Sequence, residues 1–308
     1  MSKVGLAKGS KSYDTTMEAL QRVENDIRVP AGVPVLIKPN MVFRSIDLVA
    51  TPVDAVRATM DFLKAKGVDE FIVGEGTADR EGDTMGAFED YGYFSLKDDF
   101  NVQFRNLNKD ECVSFEIRDM HLNPGKVRLA KSYFDSYVVS VARMKTHMMT
   151  QVTLAIKNIA VSSIINDDRK APSWNEPKPE QFSHDPQPLH LNIARIIQAI
   201  KPDLAVIDGV VGMEGKGPIE GTPVHSGVAL ASRDFLSIDV IGTELMGTDP
   251  RVVGYLWYLM QIEGFRRENV EVIGADPATC VTRYEMYEGL PSILGWWIEN
   301  WREYIEIP

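Results

Sequence analysis

Three clusters in this chain gather cations, amides and an imidazole at spacings suited to binding an anion and moving a proton. Lys145, Thr146 and His147 follow an apolar run and together offer a cation, a hydroxyl and a ring that titrates near neutral pH. A solvated lysine beside a histidine bonded to nearby backbone fits the same three letters. Further on, Lys157 and Asn158 interrupt an apolar stretch, 152–161. A lysine desolvated in this way has a lowered pKa and can serve as base, nucleophile or covalent anchor. A snorkelling lysine, its stem packed and its charge in water, is the alternative.

Asp208 and Glu214 frame a segment with glycines at 209, 212, 215 and 217. Backbone amides at Gly215 and Gly217 can approach a ligand closely there, and the carboxylates can receive protons or hold a cation. No Gly-Lys-Ser/Thr follows, so this is not a phosphate-binding Walker loop, and the Rossmann glycine pattern lacks its context. A tight turn that needs glycine for positive φ explains the same residues. Asp239, inside an apolar helix, calls for a paired lysine or a hydrogen-bond donor. His184 and His190 flank Pro186 and Pro188; a divalent-metal site drawn from these letters would use His147, His190 and Asp208.

Positioning these groups requires strands that end where they lie. Residues 33–37 form a short apolar run bounded by Gly32 and Pro39, predicted as a buried strand that delivers Lys38 and Asn40 into a loop. Thr51 and Pro52 open a helix whose apolar positions Val53, Val56, Met60 and Leu63 recur until Gly67 stops it. A strand over 71–73 then runs into Glu75. This strand, helix, strand order predicts a right-handed parallel crossover, with ligands beyond the carboxyl ends of the strands. Lys38, Asn40 and Glu75 then share one edge.

Downstream, the pattern predicts strands over 137–141, 204–207, 228–231 and 270–273, and helices over 151–164, 189–200, 235–246 and 252–261. Lys145, Thr146 and His147 fall in a connection. Residues 166–188 carry five prolines, too many for regular structure, and read as a lid or docking loop or as a surface insertion. Trp296, Trp297 and Trp301 line one side of a C-terminal helix that packs on the body of the protein or on a second subunit. The fold class expected is α/β, with mostly parallel or mixed sheets flanked by helices. Two closely packed lobes, 1–135 and 136–289, are followed by the aromatic helix 290–308, the second lobe carrying the site.

Whole-chain properties exclude some classes. A net charge of −11 repels phosphate backbones and anionic lipid heads, so nucleic acid and membrane surfaces are not expected partners. Two cysteines, Cys112 and Cys280, suit a reducing compartment, the cytoplasm, and cannot alone supply a four-cysteine iron–sulfur cluster. No run of about 18 apolar residues is present.

Several motifs stand in a familiar order: Leu36-Ile37-Lys38-Pro39-Asn40, Val73-Gly74-Glu75, Lys145-Thr146-His147, Lys157-Asn158, Ile207-Asp208-Gly209 and Glu214-Gly215-Lys216-Gly217-Pro218. Together they resemble the family known as domain of unknown function 362, from the opening strand to about Gly274. Many members carry a ferredoxin-like cysteine module, which implies redox partners, and this chain departs from that pattern. A more distant similarity is to nickel-dependent lactate racemase. There His147 and Lys157 stand where a histidine precedes a cofactor-anchoring lysine, and His190 would be a later histidine of the site. That likeness implies a metal or organometallic cofactor and hydride or proton transfer.

The function expected from these readings is an enzyme acting on a small carboxylate- or phosphate-bearing substrate by isomerisation, elimination or hydride transfer. Lys38, Asn40, Glu75, Lys145, Thr146, Asn158, Gly215 and Gly217 bind the substrate. His147 and Lys157 shuttle protons, with Lys145, Asp208 and Glu214 in the catalytic set. Two other classes fit the letters: a non-catalytic module that presents a cofactor or meets a redox partner, and a metal-dependent hydrolase. A homodimer through the aromatic helix is the expected assembly.

Overall fold

The computed structural model describes residues 1–46, 48–78, 83–166, 182–289 and 294–306. In chain order the strands are β1 (Ser2–Lys8), β2 (Val35–Pro39), β3 (Glu70–Glu75), β4 (Asn101–Asn106), β5 (Cys112–Arg118), β6 (Pro124–Ala130), β7 (Tyr137–His147), β8 (Gln151–Thr153), β9 (Leu204–Glu214), β10 (Thr222–Val224), β11 (Val228–Ser232) and β12 (Val270–Gly274). The helices are α1 (Ser12–Arg22), α2 (Val53–Ala65), α3 (Thr84–Asp90), α4 (Ser132–Asp135), α5 (Ala155–Ala160), α6 (Pro186–Ala199), α7 (Phe235–Leu245), α8 (Gly254–Ile262) and α9 (Arg302–Ile305).

One sheet organises the chain, in the order β12-β1-β11-β9-β7-β2-β3-β4, with β10 beside β9 and β8 beside β7. Only β11 runs antiparallel to its neighbours along that order. The sheet is therefore mixed and mainly parallel, flanked by helices, as the sequence pattern predicts, and it draws strands from both sides of residue 135. β5 and β6 pair separately as an antiparallel ribbon.

Period-two alternation divides the core between the two faces. Val35, Ile37, Tyr137, Val139, Val141, Leu204, Val206, Ala229 and Ala231 pack with residues of α1 and α2. Their neighbours Leu36, Val138, Ala142, Ala205, Ile207, Val228 and Leu230 pack with α5, α6, α7 and α8. Strands buried on both faces read as unbroken apolar runs, which is why 35–37 and 137–142 show no polar alternation.

Four elements differ from the pattern-based expectation. β7 does not stop at Val141 but continues through Arg143 to His147, so Lys145, Thr146 and His147 lie on a central strand rather than in a connection. The expected helix over 151–164 begins instead as β8, and only 155–160 is α-helical. A hairpin turn accounts for this: Gln151 has φ 65° and β8 folds back on β7, pairing Lys145 with Thr153. The proline-rich lid or docking loop falls mostly on residues 167–181, outside the described residues. Its last prolines, Pro186 and Pro188, open α6, where a missing N–H has no helical acceptor to lose.

The fourth difference is the aromatic tail. Among its described residues only Arg302–Ile305 is helical, in place of one helix carrying all three tryptophans. Tertiary contacts override the spacing. Trp296 donates from Nε1 to the Val252 carbonyl at 3.0 Å, Tyr258 donates to the Trp296 carbonyl at 3.0 Å, and Trp257 packs its ring among Trp296, Trp297 and Trp301. Buried Arg195 of α6 closes the end by donating to the carbonyls of Tyr304 and Glu306. Trp296 and Trp301 are buried against the body, while Trp297 is half exposed.

Candidate functional site

The parallel strands β2, β3, β7 and β9 end at one edge of the sheet, and their registers bring the polar residues together there. Ile37 pairs with both Val73 and Val139, Arg143 with Asp208, and Lys145 with Met213 after a register shift between Arg143 and Lys145. Residues 38, 75 and 145 lie at different heights on these strands and are joined into one network by their long side chains and by Asn40 and Asn158.

That network is continuous and buried. Lys38 Nζ donates to Glu75 Oε2 at 2.6 Å, to the Pro39 carbonyl at 2.6 Å and to Asn158 Oδ1 at 3.2 Å. Asn158 Oδ1 also accepts from Asn40 Nδ2 at 3.2 Å, and its amide donates to the Lys38 carbonyl at 3.0 Å and to Ser140 Oγ at 3.1 Å. Lys145 Nζ donates to Asn40 Oδ1 and, at 3.0 Å, to the Val49 carbonyl. Thr51 holds the loop in place, accepting from the Asn40 N–H at 2.9 Å and donating to the Val141 carbonyl at 2.7 Å, while Tyr93 donates to the Thr51 carbonyl.

Counting donors and acceptors assigns different roles to these groups. An ammonium has three N–H bonds, and Lys38 spends all three. Asn158 fills both sites on its oxygen and both on its amide. In this arrangement the donors of Lys38 and both polar groups of Asn158 are fully engaged within the protein. Lys145 differs: it meets only two acceptors. As a neutral amine it satisfies both N–H bonds and keeps its lone pair.

The electrostatics point the same way. Lys38 and Lys145 are 0 % exposed and Arg143 is 9 % exposed. Burial holds Lys145 well below the ordinary lysine value, and the charges of Arg143, Lys157 and Lys38 add to the fall against a partial opposition from Glu75. Among the described residues no carboxylate lies in ion-pair contact with Lys145, whereas Lys38 has Glu75. Lys157, on α5, is half-buried.

His147 and His190 share one arrangement. His147 Nδ1 accepts from the backbone N–H of Met149 at 3.0 Å and of Thr150 at 3.3 Å, and His190 Nδ1 accepts from the N–H of Tyr255 at 3.0 Å. A nitrogen that accepts cannot carry the proton, so each neutral ring is protonated at Nε2. Burial, with Lys157 and other cations, holds His147 well below the usual histidine value, and burial takes His190 down to about 3. Both rings are neutral donors at pH 7.

This geometry bears on the expected metal set His147, His190 and Asp208. A neutral imidazole that ligates through Nε2 must carry its proton on Nδ1, where both rings face backbone N–H donors. Asp208 also lies on the opposite face of the sheet from His190. It lies on the α1 and α2 side of β9, close to Ser12 and Asp54, whereas His190 belongs to α6 on the other face. Among the described residues no group of three His, Cys, Asp or Glu side chains could hold a metal ion. The residues present do not fit the metal that the racemase-like reading implies.

The glycine-rich segment is mostly strand. β9 extends through Glu214, and Glu214 Oε2 accepts from the Glu285 N–H at 2.9 Å, outside the Lys145 network. Gly215 has φ 76°, and a Cβ on Gly217 would lie 2.1 Å from the Thr146 carbonyl. Thr146 itself is buried and donates to the Gly215 carbonyl at 3.0 Å. These residues lock β7 to the chain after β9. Asp208 is buried; its Oδ1 accepts from the Val210 N–H at 2.8 Å, and burial raises its pKa.

Asp239 has no lysine but two donors. Its carboxylate accepts from the Ala155 and Ile156 N–H groups at 2.9 and 3.0 Å, capping α5 and fixing the segment that carries Lys157 and Asn158. Burial raises its pKa to about 8. A carboxyl with a raised folded-state value binds more protons folded than unfolded, so its contribution is present below about pH 4 and is lost as pH rises through 8. Thermal melts of Asp239→Asn and the parent protein are therefore expected to converge as pH rises from 5 to 8.5. A constant difference in Tm across that window would contradict the assignment.

Sequence reasoning missed Arg143, Ser140, Thr51 and Tyr93 as parts of this edge. Arg143 carried a usable signal: a cation two residues before Lys145, on a strand too apolar to be solvated.

A family model described as domain of unknown function (DUF362) matches residues 35–244. A thylakoid-associated protein of Synechocystis sp. is 25% identical over 246 residues, covering 79% of this chain and 71% of that protein. Among solved structures, a Thermotoga maritima protein is 14% identical over 70% of this chain with a TM-score of 0.44. The lactate racemase apoprotein from Thermoanaerobacterium thermosaccharolyticum is 11% identical over 78% of this chain with a TM-score of 0.45. The chain spans 54% and 56% of those two structures, respectively. Likenesses at that level carry no information on activity. No helix among the described residues is long and apolar enough to cross a membrane.

Proposed function

Starting from the premise that the chain belongs to the DUF362 family, we propose that it is an enzyme for a small carboxylate- or phosphate-bearing substrate, with Lys145 as its proton acceptor. One observation carries this reading: a fully buried lysine with two hydrogen-bond acceptors, no carboxylate in contact among the described residues, and three cations close enough to lower its pKa. Burial of this kind favours the neutral amine with its free lone pair, and the surrounding positive field attracts an anion.

Abstraction of a proton from a carbon beside a carboxylate begins an isomerisation or an elimination. The C–H bond breaks, the proton passes to Lys145 Nζ, and the electron pair moves toward the substrate oxygen. Charge that develops there is stabilised by the Nε2–H of His147 and by Lys157. His147 thus serves as a neutral donor rather than a proton shuttle. Lys38, Glu75, Asn40 and Asn158 hold Lys145 in register, a supporting shell of the kind that keeps a reactive group in one geometry. The two free cysteines suit a reducing, cytoplasmic setting.

Anion binding tests the reading without knowledge of the substrate. Sodium acetate or inorganic phosphate is expected to raise the Tm of the full chain, by a free energy that reaches about 2.7 kcal/mol at a hundred times Kd. Lys145→Met should lose that response at equal salt. Equal responses of both proteins, or none in the parent, would remove the reading.

A further inference from the structure

His190, buried on α6, is built in the same way as His147. We propose that His190 is a ligand-recognition residue whose Nε2–H takes a carboxylate oxygen of the substrate, next to the oxygen held by His147. This deepens the function proposed above and rests on it.

The ring is rigidly placed. Tyr255 stacks on it with centroids 5.8 Å apart and planes 18° from parallel, and Trp296 lies 6.2 Å away. Gly254 leaves the room that the ring needs: a Cβ there would come within 2.8 Å of His190 Cγ. The Tyr255 N–H fixes the proton on Nε2, and that atom is buried without a hydrogen-bond partner among the described residues. The Met149 backbone comes near without reaching normal hydrogen-bond geometry.

The surroundings favour an oxygen ligand. The charge of Lys157 acts on both His190 and His147, and His190 acts on His147, so the two rings and the amine belong to one neighbourhood. Two other buried groups that can donate have no partner among the described residues of the adjoining elements: the Thr153 hydroxyl on β8 and the Tyr255 hydroxyl on α8. Gln151 links β8 to the turn just before α8 by donating from Nε2 to the Val252 carbonyl at 2.6 Å. Buried donors without partners are costly, and they persist where a bound group completes them. A carboxylate, with lone pairs on both oxygens, matches two neutral N–H donors beside an ammonium.

The chain has five histidines, so ring signals are few enough to assign by substitution. Long-range proton–nitrogen NMR of the full chain at pH 7 should show His147 and His190 protonated at Nε2, and an acetate titration should move the His190 Nε2–H signal to saturation. His190→Phe, which keeps an aromatic ring, should weaken the acetate-dependent rise in Tm at least tenfold. Two results would overturn the assignment while sparing the function of Lys145: a proton on His190 Nδ1, or a His190 signal unmoved by acetate while the Lys145-dependent Tm rise persists. Acetate without effect on either Tm or ring signals would overturn both.

Discussion

Glu75→Ala should destabilise the protein by about 3–5 kcal/mol, the largest stability change expected from any single substitution at the site. Glu75 is 2 % exposed and makes the sole carboxylate contact of Lys38 among the described residues, Lys38 itself being fully buried. Removing it leaves a desolvated ammonium whose other partners, the Pro39 carbonyl and Asn158 Oδ1, are neutral. Equilibrium urea unfolding measures the loss. The pair is expected to matter through the charge left behind more than through its own net attraction. Lys38→Met combined with Glu75→Leu, apolar on both sides, should therefore recover much of the loss. A double variant as unstable as Glu75→Ala would show that the hydrogen bonds of Lys38 to Pro39 and Asn158, and not the ion pair, hold the edge together.

The second large effect concerns Lys145. Loss of a positioned general base typically slows a reaction by about 10²–10⁴-fold, and the turnover rate of Lys145→Met is expected to fall by that factor. Lys145→Arg separates two roles. A guanidinium stays protonated, so it can attract an anion but cannot accept a proton. The arginine variant should retain part of the acetate-dependent rise in Tm and still be inactive. Activity retained in Lys145→Arg would make residue 145 an anion anchor and assign the base elsewhere.

Parts of this architecture were legible in the residues and parts were not, for physical reasons. The β2–α2–β3 crossover was readable because Gly32, Pro39, Pro52 and Gly67 punctuate it and its apolar periods are clean. From that alone Lys38, Asn40 and Glu75 could be placed on one edge. The extent of β7 was hidden, because Arg143 and Lys145 look like the end of an apolar strand. Charges persist on a central strand only where neighbouring strands end in compensating polar groups, and those groups are distant in sequence. β8 was masked by three residues whose apolar spacing also fits the start of α5, and Gln151 gives no sign of its left-handed backbone.

The division of labour within the site lay further from reach. Sequence places Lys38, Lys145, Asn158 and His147 near one another but cannot say that Lys38 and Asn158 are saturated while Lys145 is not. Nor does it reveal the N–H groups of Met149, Thr150 and Tyr255, which decide the tautomers of two histidines. The tryptophan spacing failed for the opposite reason, because Trp296 finds the Val252 carbonyl and the packing of Trp257 in preference to a helix of its own.

The central claim is that Lys145 is an uncharged amine at neutral pH, and nitrogen NMR of the lysine Nζ atoms, assigned by Lys145→Met, measures this directly. The account predicts a Lys145 signal in the amine range at pH 7.5, one that titrates well below 10.5 and gains a proton when acetate binds. A Lys145 ammonium that persists to pH 10 with or without acetate would contradict it.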